Sequence, residues 1–358
     1  MTNKVYLVLE NGKIFEGMSF GAQAEVKGEV VFTTAMTGYN EAVTDPSFCG
    51  QIVVQTFPLV GDYGVISSDF ESNKTYVKGY VVREWCQSPS NFRCEGDIGT
   101  FFESEGIVGI SGVDTRELTK IIRDAGTMNG LITSDPESVD FDELRSYRAK
   151  NLVETVSTTE EYTVKPECTP EYKVVLLDLG TKKAIIDELI KRKCEVVVVP
   201  HNTKADRIKE INPDGFILSS GPGDPEDNQK VIAELKNIAD LKIPTFGICL
   251  GHMLLALSQG GKARKLKYGH RGGNQPVQNT ETGRIYITSQ GHGYEVVADS
   301  MPDYMKISYT NVNDKTCEGI KYTNIPAFTV QFHPEAAAGP LDTNFIFDEF
   351  IALMKEEN

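Results

Sequence analysis

At 358 residues the chain is too long for one ordinary hydrophobic core, which points to two domains. Hydrophobic residues make up 40% and charged residues 24%, the balance of a globular protein rather than a disordered or fibrous one. The formal net charge of −15 excludes holding a phosphate backbone or an anionic membrane through the overall field, and leaves open a protein partner with a basic face. No apolar run is long enough to cross a bilayer, and Met1-Thr-Asn-Lys-Val-Tyr6 lacks the regions of a signal peptide. The seven cysteines (49, 86, 94, 168, 194, 249 and 317) are odd in number and form no C-x-x-C pair. A reduced, cytoplasmic protein is expected. No metal-ligand spacing links these cysteines with His201, His252, His270, His292 and His333, so no metal site is expected.

The first 151 residues read as a β-rich α+β domain. Val5 to Gly17 is two strands around Asn11-Gly12, a strong hairpin signal. Glu29–Thr34, Gln51–Phe57 and Tyr76–Arg83 add strands. Between the first two of these, Gly38 to Gly50 is punctuated by glycine and proline and too polar for a core. Asp114 to Gly126 carries a capped start and a glycine stop, and Phe141–Lys150 reads as another helix. Residues 152–172 turn to Thr, Glu and Pro without periodicity and read as a linker.

From 173 to 358 the pattern alternates. Val174–Asp178, Glu195–Pro200 and Gly215–Ser219 are apolar strands; Lys182–Arg192 and Gln229–Ala239 are helices. Apolar strands separated by helices imply an α/β domain, flavodoxin-like, with a parallel sheet covered on both faces. After Gly260 the chain reads as hairpins (Arg284–Thr288, Tyr294–Val297, Met305–Tyr309), a histidine-bearing strand and a closing helix at Asn344–Met354. Ligands of such sheets lie at the carboxyl ends of the strands, where Gly221 and Cys249 both fall.

Pro244-Thr-Phe-Gly-Ile-Cys-Leu-Gly-His252 is a short strand running through Cys249 into an apolar helix. Gly247 and Gly251 flank the cysteine in the layout of a strand-turn-helix elbow. There a thiol meets a helix N-terminus, which favours the thiolate, and the Leu250 N–H is placed to donate to an oxyanion. The pentapeptide alone equally suits a buried structural cysteine; a base and its orienting group decide. Val330-Gln-Phe-His-Pro-Glu335 offers both. If the extended run persists, His333 and Glu335 point to one polar side, where the carboxylate fixes the imidazole tautomer. A surface His-Pro-Glu turn is the alternative. Phe216 to Pro225 is a strand entering a Gly-Pro-Gly-Asp-Pro turn, either a nest of backbone N–H donors or an ordinary connection.

Gly247-Ile-Cys-Leu-Gly-His252, Gly221-Pro-Gly-Asp-Pro225 and His333-Pro-Glu335 together resemble the signature set of the triad, class I glutamine amidotransferases. Gly269-His-Arg-Gly-Gly-Asn-Gln-Pro-Val277 and Met36-Thr-Gly-Tyr-Asn-Glu-Ala-Val-Thr-Asp-Pro-Ser47 resemble, more narrowly, the small subunits of carbamoyl-phosphate synthases. The resemblance covers essentially the whole chain. It implies glutamine hydrolysis by a triad of Cys249, His333 and Glu335. Glutamine would be held by Ser47, Gly221, Gly223, Leu250, Met253, Gly291, Gly293 and Tyr294, and its ammonia passed to a large synthetase subunit. ATP and Mg are expected on that partner and no cofactor on this chain, which has no phosphate-binding G-x-x-x-x-G-K-[ST] loop. His252 and His292 match no triad role and read as structural.

The chain departs from the family pattern in two places. Met253 stands where the family usually has Gln, and Gly291 where it usually has Asn. These departures leave a rival reading, a glutaminase-weak regulatory or scaffolding subunit. A stand-alone thiol hydrolase of the same fold is a second rival, which does not account for the amino-terminal domain.

Overall fold

The structure, a computed structural model, describes residues 3–357 and divides into two compact units, 1–150 and 151–358.

In the first unit seven strands close into a barrel. Their order is Lys4–Leu9, Ile14–Gly21, Val108–Ser111, Gly79–Val81, Gln51–Gln55, Val26–Thr33 and Met128–Thr133, which pairs back onto Lys4–Leu9. The expected hairpin forms around Gly12, whose φ of 89° is the left-handed conformation that the tight turn demands. Alternate residues such as Leu7, Leu9, Val30, Ile52, Val54 and Ile110 fill the core on one side of this sheet. The helix Thr115–Ala125 lays Leu118 and Ile122 on that core, and Asp114 caps it by accepting from the Glu117 N–H. The second expected helix is only Phe141–Ser146.

The second unit is built on a ten-stranded sheet. Its second to sixth strands, in the order Cys194–Pro200, Tyr172–Asp178, Gly215–Leu218, Thr245–Ile248 and Ala327–Val330, all run parallel. Numbered along the chain, that is the 2-1-3-4-5 arrangement of flavodoxin-like folds. Strand residues alternate between two apolar clusters, as a sheet covered on both faces requires. Val174 and Leu176 pack with Ile185 and Leu189 of the helix Lys183–Lys191 and with Phe347 and Phe350 of the helix Ile346–Glu357. Val175 and Leu177 face the other way, toward the helices Ala205–Ile211, Gln229–Ala239 and Leu250–Ser258.

Three expectations are corrected. The stretch 152–172 is not a featureless linker: it holds a helix, Leu152–Val156, and a strand, Tyr162–Val164, that pairs antiparallel with Cys194–Pro200. The Asp178 carboxylate accepts from the Thr158 N–H, tying this stretch to the sheet. Second, Arg284–Thr288 and Tyr294–Val297 are not separate hairpin strands but parts of one strand, Ile285–Val296, paired with the longer Ala263–Asn279. Gly291 and Gly293 interrupt the apolar alternation there; Gly291 pairs with Arg271, and the register shifts around Gly293 before pairing resumes at Tyr294. Third, the histidine strand ends at Val330. His333 is held beyond it by its N–H donating to the Ser289 carbonyl, an isolated bridge to the neighbouring strand.

Candidate active site

Cys249 lies between the strand Thr245–Ile248 and the helix Leu250–Ser258, with φ 53° and ψ −103°, a conformation that costs a non-glycine residue energy. The Cys249 N–H donates to the Val330 carbonyl, and the Gly251 N–H to the Ser219 carbonyl, so strands on both sides fix the turn. The flanking glycines are steric necessities. A Cβ on Gly251 would stand 2.4 Å from the Leu218 carbonyl oxygen, and one on Gly247 2.7 Å from Thr329 Cγ2. Cys249 is 1% exposed. Leu250 begins the helix, where backbone N–H groups have no intrahelical acceptor.

The Gly221 turn comes to the same place. A Cβ on Gly221 would meet Leu250 Cδ2 at 2.8 Å and the Leu179 carbonyl oxygen at 2.1 Å, so only glycine fits. Gly223, at φ 89°, packs over Leu152.

His333 Nδ1 lies 2.6 Å from Glu335 Oε1, and both residues are buried. The Nδ1–H donates to the carboxylate, which leaves Nε2 as the nitrogen that exchanges a proton with the thiol. That contact comes from the turn beyond the strand rather than from continued extension. Burial works against a charged His333, but the negative charge of Glu335 and then the neighbouring Cys249 sulfur outweigh it and raise its pKa. Burial likewise disfavours a charged Glu335; the cations Lys182 and His333 outweigh that and hold it down to about 2.

Lys182 belongs to no motif and is not among the residues expected at the site. It is 3% exposed, with Nζ 3.2 Å from Glu335 Oε1 and donating to the Ala336 carbonyl at 2.9 Å. Its one sequence signal is its place, a lysine at the carboxyl end of the first parallel strand, where the sheet's ligands gather.

Of the residues expected around glutamine, Gly291 is near the imidazole: a Cβ there would be 3.9 Å from His333 Nε2. Gly293 and Tyr294 follow on the same strand, and a Cβ on Gly293 would lie 3.1 Å from an Arg271 guanidinium nitrogen. Met253 is 3% exposed and belongs to the apolar cluster that includes Leu250 and Leu254. Ser47 lies in the first unit on the turn Pro46–Phe48, its N–H donating to Asp45. Its hydroxyl is buried with no hydrogen-bond partner among the described residues. His252 is fully buried against Thr329, and burial drives its pKa down to about 3, so it stays neutral as a structural residue.

The chain matches two family models: carbamoyl-phosphate synthase small chain, CPSase domain, over residues 7–132, and glutamine amidotransferase class-I over residues 175–353. It is 49% identical to the carbamoyl phosphate synthase small chain of Clostridium perfringens, over 97% of this chain and 99% of that one. The identity to the protein of the same name from Fusobacterium nucleatum is 48%, over 96% of each chain. With the carbamoyl phosphate synthase pyrimidine-specific small chain of Bacillus subtilis it is 45%, over 98% of this chain and 95% of that one. The chain belongs to the carbamoyl-phosphate synthase small-chain family. As a member of that family it is an enzyme subunit with a class I glutamine amidotransferase domain, the part that hydrolyses glutamine and supplies its ammonia. A stand-alone hydrolase is disfavoured, because the likeness runs through the amino-terminal unit as well. A non-catalytic scaffold is also disfavoured by this membership.

Proposed function

We propose that Cys249, His333 and Glu335 carry out the hydrolysis. His333 Nε2 takes the thiol proton, and the Cys249 sulfur attacks the side-chain carbonyl carbon of glutamine. The oxyanion so formed is held by backbone N–H groups at Gly221 and Leu250. As the intermediate collapses, the C–N bond breaks and His333 delivers its proton to the departing ammonia. Water, deprotonated by His333, then cleaves the thioester to release glutamate and restore the thiol. Glu335 keeps the imidazole tautomer, and Lys182 keeps Glu335 ionised. Gly223, Met253, Gly291, Gly293 and Tyr294 line the glutamine pocket. The observation that carries this reading is the buried His333–Glu335 hydrogen bond beside the strained Cys249 turn.

Ammonia free in neutral water is mostly protonated and no longer nucleophilic, so its release into solvent is unproductive. A large synthetase subunit, working in the cytoplasm, therefore receives the ammonia and carries ATP and Mg for carbamoyl phosphate synthesis; the hydrolysis itself uses no cofactor on this chain. The test is glutamate release with and without that subunit. A rate that rises in its presence supports the proposal; a rate that is high alone and unchanged by it counts against the partnership.

A further inference from the structure

Behind the strand that carries Gly291 and Gly293 lies a buried polar cluster that the hydrolysis does not use. His270, His292 and Glu318 come from three different strands, Ala263–Asn279, Ile285–Val296 and Cys317–Tyr322. One ring nitrogen from each histidine and one carboxylate oxygen all lie within 4.8 Å of one another, and all three residues are buried. We propose that His270, His292 and Glu318 bind a divalent cation of the zinc type.

Each histidine has one nitrogen already committed and the other turned inward. His270 Nε2 is 2.7 Å from Asp314 Oδ2, the carboxylate–histidine arrangement that orients a metal ligand and strengthens its basicity. His292 Nδ1 is 2.7 Å from the Tyr294 carbonyl oxygen, which only accepts, so the proton sits on Nδ1 and the lone pair on Nε2. The inward nitrogens are His270 Nδ1 and His292 Nε2. His270 Nδ1 makes no hydrogen bond among the described residues and stands 3.4 Å from Glu318 Oε1. With metal–ligand bonds of about 2.0–2.1 Å, neighbouring ligands of a tetrahedral zinc are about 3.3–3.4 Å apart, so this separation suits two atoms bound to one ion.

His292 Nε2 faces Gln290 Oε1 at 3.1 Å, which sets one acceptor against another unless a cation stands nearby. Turning the Gln290 amide over relieves the conflict only if Glu318 is protonated, since burial raises its pKa; otherwise it moves the clash onto the carboxylate. The amide nitrogen now lies 3.0 Å from Glu318 Oε2, and the turned amide would set oxygen against the carboxylate. A proton on His270 satisfies Glu318 but leaves the His292 and Gln290 lone pairs opposed. A cation held by both rings and the carboxylate satisfies them all. Glu318 has the support expected of such a ligand, because Gln290, Asn311 and Thr316 all donate to it. Two imidazoles and a carboxylate suit zinc, with a fourth position open. The site leaves no spacing signature in the sequence, because its ligands lie far apart on strands that only the sheet brings together.

The test is metal binding by the full chain, freed of metal with a chelator and titrated with Zn²⁺ against a competing indicator. One tight equivalent is expected. Asp314→Asn, at a half-exposed carboxylate where misfolding is not a concern, should weaken it roughly 10- to 100-fold. Glu318→Gln should abolish it. Co²⁺ bound to the wild-type chain should show a tetrahedral visible spectrum without the near-ultraviolet thiolate band that coordination by a cysteine gives. No stoichiometric binding, affinity unchanged in Asp314→Asn, or a thiolate band would each overturn the site.

Discussion

Lys182 Nζ stands 3.2 Å from Glu335 Oε1, and neither side chain reaches water: their side-chain exposures are 3% and 0%. A buried pair of this kind is costly to break, because the surviving charge is left uncompensated, typically by about 3–5 kcal/mol. Lys182→Met should therefore lower stability toward denaturant by an amount in that range. It should also slow glutamine turnover, because a Glu335 that protonates more easily no longer orients His333. Glu335 contributes stability fully above its ordinary pKa of 4.5 and loses it as pH falls through about 2. Without Lys182 that acid loss should begin at higher pH. Acid unfolding curves for the two proteins that superimpose would show that the pair is not coupled in this way.

His333 gives the opposite sign. Its pKa is raised, so its contribution is complete below the ordinary value of 6.5 and disappears as pH climbs through about 10. The stability difference between wild type and His333→Asn should shrink across that alkaline range. Iodoacetamide should label Cys249 more slowly in His333→Asn, because the thiolate loses its counter-ion, and Glu335→Gln should show a smaller effect. Equal labelling rates in wild type and His333→Asn would break the pairing.

The two glycines around Cys249 announced the elbow because steric exclusion leaves a mark on sequence: no other residue fits beside the Leu218 carbonyl or Thr329. The parallel sheet was legible for a similar reason, since strands buried on both faces must be continuously apolar. Lys182 was not legible, because a buried lysine at a strand end looks like a solvated one until its carboxylate partner, far along the chain, is in place. The strand Ile285–Val296 reads in sequence as two pieces, Arg284–Thr288 and Tyr294–Val297, because Gly291 and Gly293 break the apolar alternation; pairing with residues 263–279 joins them across a register shift around Gly293. The strand Tyr162–Val164 was missed because an edge strand with only one neighbour has little apolar pattern to show.

Gly291 leaves space 3.9 Å from His333 Nε2, and Met253 is turned into apolar packing. If the ammonium and carboxylate of glutamine lack partners for that reason, each missing hydrogen bond costs roughly 1–3 kcal/mol, about 5- to 150-fold in affinity. The deficit falls on KM, since these groups bind ground and transition states alike. Gly291→Asn should lower KM for glutamine, and the double variant with Met253→Gln is needed because neighbouring positions couple. A KM in the double variant no lower than in wild type would mean that backbone groups or water already fill the role.

The partner subunit should be visible in purification. Drawn from its native cells, the chain should come with a much larger ATP-using protein. Since exposed charges are screened by salt, any part of that association steered by the net charge of −15 should weaken as ionic strength rises. Recovery of the chain alone at low salt would argue against a stable complex.

The most direct test of the central claim replaces the nucleophile. Carbamoyl phosphate formation by the complex of this chain with its large subunit is measured with glutamine and, separately, with ammonia as nitrogen source. Cys249→Ser should lose the glutamine-dependent rate by on the order of 10³-fold or more, while the ammonia-dependent rate persists near that of wild type. Undiminished use of glutamine by Cys249→Ser would contradict the account.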